Sequence, residues 1–294
     1  MAWNRWLLTV ILVVAHAASL AANCIKHQDH RSNKNSGVVV SEFLISGTQT
    51  LSSDQLNRFR AKLIGACFDD DEKEVQEQVR ALFQNAGYFE ASLKSLRVKP
   101  VDPLGVPKPV ALEADVQEGR LFRLGEIRFS GNHAVSSAKL RGVFPLRKGH
   151  LFAREKIAGG LDALRILYGK FGFIDLMMVP DTQNLSNATV RLTITTQEGP
   201  QYRMGKLQVL AKKEIADKLR ARWQLPEGAV FDRTYIERFV RENRSLLPPE
   251  FTADTVQLSG DCPAATVEVR LPVDANEAAS HPAGKKVACE GAQE

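Results

Sequence analysis

The sequence predicts an α+β protein made of three tandem small domains, each running strand, helix, helix, strand, strand. Three observations carry this. Gly-x-x-Phe recurs at Gly65–Phe68, Gly149–Phe152 and Gly228–Phe231, and a spacing of roughly eighty residues marks an array of small domains. Flanking landmarks recur in the same order: Ile45-Ser46-Gly47-Thr48 is matched by Phe129-Ser130-Gly131-Asn132, Asn85-Ala86-Gly87-Tyr88 by Lys170-Phe171-Gly172-Phe173, and Val116-Gln117-Glu118-Gly119 by Thr196-Gln197-Glu198-Gly199. Between landmarks the apolar pattern switches from alternation to helical spacing and back.

The middle unit shows each element most clearly. Phe122 to Phe129 alternates as an imperfect strand, and Gly131-Asn132 turns the chain because both residues tolerate the left-handed backbone region. Ser136 or Ser137 caps a short helix through Leu140 to about Phe144, which Pro145 ends. After Gly149–Phe152 comes a second helix whose apolar stripe is Ile157, Leu161, Leu164, Tyr168 and Phe171, with Gly172 as its left-handed cap. Phe173 to Val179 reads as a strand, and Asn187 to Gln197 as another, with Val190, Leu192, Ile194 and Thr196 on one side.

The first unit repeats this order between Val38 and Gly119. Ser52-x-x-Gln55 and Asp71-x-x-Glu74 are candidate capping boxes for its helices, the second carrying Val75, Val79, Leu82 and Ala86 on its buried stripe. The third unit runs from Tyr202 to about Asp274, with Asp232 as a helix cap, Ile236, Phe239, Val240 and Leu247 buried, and a final strand pair at Thr252 to Leu258 and Ala265 to Val273. A small sheet covered on one face by two helices is the simplest packing for each unit.

The ends read differently. Met1 to Ala22 has Arg5, then an apolar run from Trp6 to Ala15, then small residues, which is the pattern of a secretory signal; a retained anchor is the alternative, although a spanning helix needs roughly 20 apolar residues. Residues 23–37 read as a polar leader and 275–294 as a flexible tail with too few large apolar residues to build a core. The formal net charge of +5 is scattered among acids, without the basic stripe and interleaved aromatics of a nucleic-acid binder. The sequence has no Gly-x-Ser-x-Gly, His-Glu-x-x-His or phosphate-cradling loop, so neither an enzyme nor a cofactor or metal site is expected.

Taken together, Ser130-Gly131-Asn132 after the first strand, Gly-x-x-Phe before the second helix, Tyr168 and Gly172-Phe173 around its end, and Glu198-Gly199 closing the last strand resemble POTRA (polypeptide-transport-associated) domains. The resemblance covers units at 38–120, 121–200 and 201–274. It is weakest in the third, where Ala211-Lys212 replaces Gly-Asn. It implies a three-stranded mixed sheet in each unit and a periplasmic location, as in BamA-, TamA- and two-partner-secretion-type proteins, with peripheral association at the outer membrane. It also implies partners of two kinds, outer-membrane protein precursors or a separate β-barrel assembly protein, and no nucleic acid. A barrel strand needs about 9–11 residues, and none is expected after Asp274. Two alternatives stay open: an inner-membrane-anchored scaffold of the FtsQ type, and a remnant of a barrel-containing protein.

Under this resemblance the binding surface falls on edge strands, where unpaired N–H and C=O groups accept an extended client by β-augmentation. The candidates are Phe89 to Val98, with Phe89, Glu90 and Ala91 singled out, then Phe173, Ile174, Asp175, Leu176, Met177, Met178 and Val179, with Thr252 to Leu258 weaker. Gly47, Gly131, Gly87 and Gly172 read as backbone punctuation, and Phe68, Phe152 and Phe231 as core anchors. Cys67, in the place of Leu151 and Val230, is expected to be a small buried hydrophobe. Cys262 and Cys289 form a candidate disulfide, with Cys24 as a rival partner.

Overall fold

A computed structural model describes residues 38–68, 72–104 and 107–280. The signal, the leader, Asp71, Cys24 and Cys289 lie outside the described residues. The chain groups into two compact units. One holds the residues up to Leu124 together with Gly149–Lys156 and Ser186–Val190; the other holds Gly125–Lys148, Ile157–Leu185 and the chain from Arg191 onward.

The first repeat comprises β1 (Val38–Ser46), α1 (Ser53–Leu63), α2 (Glu72–Asn85), β2 (Ser92–Pro100) and β3 (Lys108–Gln117). The second comprises β4 (Arg123–Ser130), α3 (Ser137–Val143), α4 (Arg154–Gly169), β5 (Met177–Asn184) and β6 (Thr189–Gln197). The third comprises β7 (Arg203–Leu210), α5 (Lys213–Arg222), α6 (Arg233–Glu242), β8 (Gln257–Asp261) and β9 (Thr266–Pro272), followed by α7 (Ala275–Ser280). The sheets have the orders β1-β3-β2, β4-β6-β5 and β7-β9-β8, so the last strand of each repeat is central. β1 runs parallel to β3, with Val40 opposite Val110, while β2 runs antiparallel to it, with Ser92 opposite Gln117. β9 is likewise parallel to β7 and antiparallel to β8. The expected α+β repeat with a mixed sheet is the observed one.

Burial alternates along each central strand, as one covered face requires. Leu112, Ala114 and Val116 are buried in the first repeat, Val190, Leu192, Ile194 and Thr196 in the second, and Val267, Val269 and Leu271 in the third. The helix caps follow the sequence: Ser52 and Gln55 form the capping box of α1, Ser136 caps α3 through Lys139 N–H, and Asp232 caps α6 through Thr234 N–H. The stripe of α2 includes Phe83, fully buried, while Leu82 and Ala86 are only partly buried against the core.

The Gly-x-x-Phe element does the same work three times. Gly65, Gly149 and Gly228 have φ of 88°, 85° and 83°, the left-handed region that favours glycine. Each glycine N–H donates to the first strand, at Val40 O (2.8 Å), Leu124 O (2.7 Å) and Met204 O (2.7 Å). Each phenylalanine N–H donates two residues further back, at Val38 O, Phe122 O and Tyr202 O. This clasp turns Phe68, Phe152 and Phe231 into the core, each burial contributing about 2–3 kcal/mol.

The residue before each phenylalanine bridges the same strand: Cys67 to Val39, Leu151 to Arg123, Val230 to Arg203. Extended backbone alternates sides, so this residue must point away from the core. Cys67 is therefore exposed rather than buried, and it is disulfide-bonded. The segment read as the start of a flexible tail instead forms α7, capped by Asp274 through the N–H groups of Asn276 and Glu277.

Candidate protein-binding interface

Each sheet leaves the strand after its second helix at an edge. β2 carries a bulge at Lys94, between the pairs of Leu93 and Ser95. Its basic residues are partly neutralised by the neighbouring strand: Arg97 and Lys99 reach Glu113 at 3.3 and 2.7 Å. The Lys99 ammonium, then Arg97, hold the Glu113 carboxyl below the usual range. β5 is the more apolar edge. Met177 and Val179 are 60% and 62% exposed while Met178 is half-buried, so the adjacent methionines face opposite ways as expected. Pro180 follows with no N–H to offer, and Gln183 accepts from Arg191 at 2.6 Å. β8 is only five residues long and leads into Cys262, whose sulfur lies 3.3 Å from Tyr202 Oη.

The edge strands begin later than the sequence suggests. Phe89, Glu90 and Ala91 precede β2, and Phe173, Ile174, Asp175 and Leu176 precede β5; the candidates that stand in strands are residues 92–98 in β2, Met177, Met178 and Val179 in β5, and Gln257 and Leu258 in β8. The physical reason is that these residues close the preceding helix and are held by contacts within their own repeat and, at Phe89, Ile174 and Asp175, with the following one. Tyr88 N–H and Phe173 N–H turn back to Phe83 O and Tyr168 O, closing the preceding helix. Phe89 then packs on Phe152 at 4.6 Å between ring centroids, and Ala91 is buried. Glu90 pairs with Arg120 at 3.0 Å, which holds its carboxyl below the usual range. Phe173 meets the Tyr168 ring edge-on at 5.9 Å, and Ile174 packs against the core of the third repeat. Asp175 accepts from Tyr202 Oη at 2.6 Å, and burial followed by this bond pushes the Tyr202 phenol above its ordinary range, keeping it a donor.

The two joints are built alike. Phe122 N–H donates to Gly87 O at 2.8 Å, and Tyr202 N–H to Gly172 O at 2.9 Å. Gly87 and Gly172 have φ of 93° and 81°, and a Cβ at Gly172 would stand 2.6 Å from Tyr202 O. Nothing in the sequence period flagged Phe122 and Tyr202 as joint residues; the available signal was an aromatic three residues beyond each Glu-Gly. Glu118 and Glu198 reach back within their own repeats, to the N–H groups of Gln49 and Thr50 and to Ala134 N–H and Tyr168 Oη.

Comparisons with known proteins agree with this architecture. The family model for POTRA, described as "Surface antigen variable number repeat", matches residues 122–199. Outer membrane protein assembly factor BamA of Neorickettsia risticii (strain Illinois) is 25% identical over 206 residues, covering 66% of this chain and 27% of that protein. The chain thus spans about a quarter of the length of that relative. The crystal structure of Haemophilus influenzae BamA POTRA3-5 matches with a TM-score of 0.59 at 21% identity, over 79% of this chain and 94% of that one.

Proposed function

We propose that the chain, whose residues 122–199 match the POTRA family model and whose fold matches a solved three-POTRA array, is a periplasmic binding module for outer-membrane protein assembly or secretion. It takes extended segments of outer-membrane protein precursors, or of a separately encoded barrel protein, at the free edges of β2 and β5. The observation that carries this reading is the β5 edge, where Met177 and Val179 stand exposed beside unpaired backbone. Main-chain pairing suits a permissive binder: each added hydrogen bond contributes about 0.5–1.5 kcal/mol net, so one strand binds weakly and without strong sequence preference. The relative named as an assembly factor supports the biological setting. A binding rather than catalytic role follows from the same features.

A photo-crosslinking residue placed at Val179 should give adducts with outer-membrane precursors or a barrel protein, about tenfold above the same probe at Lys218 on α5. Equal yields at the two positions, in folded and abundant protein, would remove the edge-strand reading.

Cys67 and Cys262 are both disulfide-bonded, and bridges of this kind persist in oxidising compartments such as the periplasm. This supports export. Cys262 pairs with Cys289 in this reading, tying the tail to the turn after β8. Non-reducing peptide mapping should recover a linked peptide containing both; a Cys262–Cys24 link, or Cys289 alkylated without reduction, would refute the pairing.

A further inference from the structure

Although the two joints share their backbone bonds, they differ in what fills the space between the long helices. At the first joint, Arg154 at the start of α4 donates to Gln84 Oε1 at 3.3 Å and lies 3.8 Å from Glu77, and Asn85 Oδ1 accepts from Glu155 N–H at 2.8 Å. The gap is closed by the chain itself. Aligned on Gly87 and Gly172, Gln84 corresponds to Gly169, and aligned on the Gly-x-x-Phe phenylalanines, Arg154 corresponds to Arg233. The second joint therefore has the arginine without the glutamine.

An open groove of about 230 Å³ stands there, lined by Asp162, Arg165, Ile166, Gly169, Arg233 and Glu237 among others. Asp162 and Arg165 satisfy each other at 2.8 Å. Among the described residues Arg233 makes no ion pair or side-chain hydrogen bond, and Glu237 is its neighbour one turn along α6. Ile166 is 54% exposed beside them. The lining thus includes a donor in Arg233, an acceptor in Glu237 and an apolar contact in Ile166.

The geometry points to a docking site in this groove for a partner polypeptide presenting a glutamine beside an apolar residue. The glutamine Oε1 accepts from Arg233, as Gln84 does from Arg154, while its Nε2 donates to Glu237, and the apolar neighbour covers Ile166. A carboxylate of the same length satisfies Arg233 but faces Glu237 with like charge, which selects the amide. The site is separate from the β2 and β5 edges and stands whether or not those edges bind clients.

The test is titration of the isotope-labelled full chain with blocked tripeptides, Ac-Leu-Gln-Leu-NH₂ against Ac-Leu-Glu-Leu-NH₂, read by amide chemical shifts. The glutamine peptide should perturb Ile166, Gly169 and Glu237 and bind about fivefold more tightly than the glutamate peptide. Gly169→Gln rebuilds the first joint's filler. A Cβ there would meet only the Arg233 side chain, at Cβ (3.4 Å) and Cδ (3.9 Å), both ordinary contacts, so this variant should stay folded and lose the perturbations. Shifts elsewhere on the surface, equal binding of the glutamate peptide, unchanged binding by Gly169→Gln, or concentration-dependent self-association that buries Ile166 would each overturn the assignment.

Discussion

Replacing Gly131 by alanine should lower the melting temperature of the middle repeat by about 15 °C or more, whereas the same change at Gly149 should cost about 5 °C. Both glycines have positive φ, 71° and 85°, so both substitutions carry the roughly 1 kcal/mol of a left-handed L-residue. They differ in what the new methyl meets. At Gly131 it would stand 2.1 Å from the carbonyl oxygen of Thr196 on β6, and at Gly149 nothing lies within 4 Å. A carbonyl in a central strand cannot yield without breaking the ladder, and such overpacking adds about 1–3 kcal/mol. Gly47, whose added Cβ would lie 2.0 Å from Val116 O, is the same site in the first repeat. Thermal unfolding followed by hydrogen exchange in residues 123–197 reads the difference. Equal losses at Gly131 and Gly149 would show that backbone conformation alone, and not close approach, selects glycine after the first strand.

Phe152→Ala should be the most damaging side-chain truncation, at about 3–5 kcal/mol for a fully buried phenylalanine. Its effect should also reach beyond its own repeat. Phe152 is buried in the middle repeat and is the ring on which Phe89 rests. The Phe122 N–H bond to Gly87 O should then exchange faster as the first joint loosens. Phe89→Ala removes a half-buried ring and should speed that amide while costing the middle repeat little. An unchanged Phe122 amide in Phe152→Ala would detach the joint from the core.

The parts of this architecture that were legible in sequence are those with a backbone demand only one residue type meets. Gly47, Gly131, Gly87 and Gly172 are such positions, and all four have positive φ. The Gly-x-x-Phe phenylalanines were legible because a buried aromatic at a fixed offset leaves a period. The start of each edge strand was not. Phe89 to Ala91 and Phe173 to Leu176 have the composition of strands, yet Phe89 and Ile174 pack on the next repeat, and contacts between repeats impose no pattern inside either one. Cys67 was misassigned although the signal was present: a residue adjacent to an inward phenylalanine in extended backbone faces outward. The groove beside Arg233 was invisible because it arises from something missing, a side chain at Gly169.

In each joint, the carbonyl of the glycine that follows the long helix of one repeat, Gly87 or Gly172, is satisfied by the first aromatic residue of the next, Phe122 or Tyr202. The turn that leaves each long helix is thus a shared property of two neighbours. A repeat cut out on its own would keep its core but fray at that end, and the loss would be largest for the repeats that have a successor. Energetically the array resembles a row of coupled spins, in which each member's stability carries a term written by the one after it. Such coupling makes order propagate backward along the chain, so that an event fastening the third repeat would tighten the second without touching it.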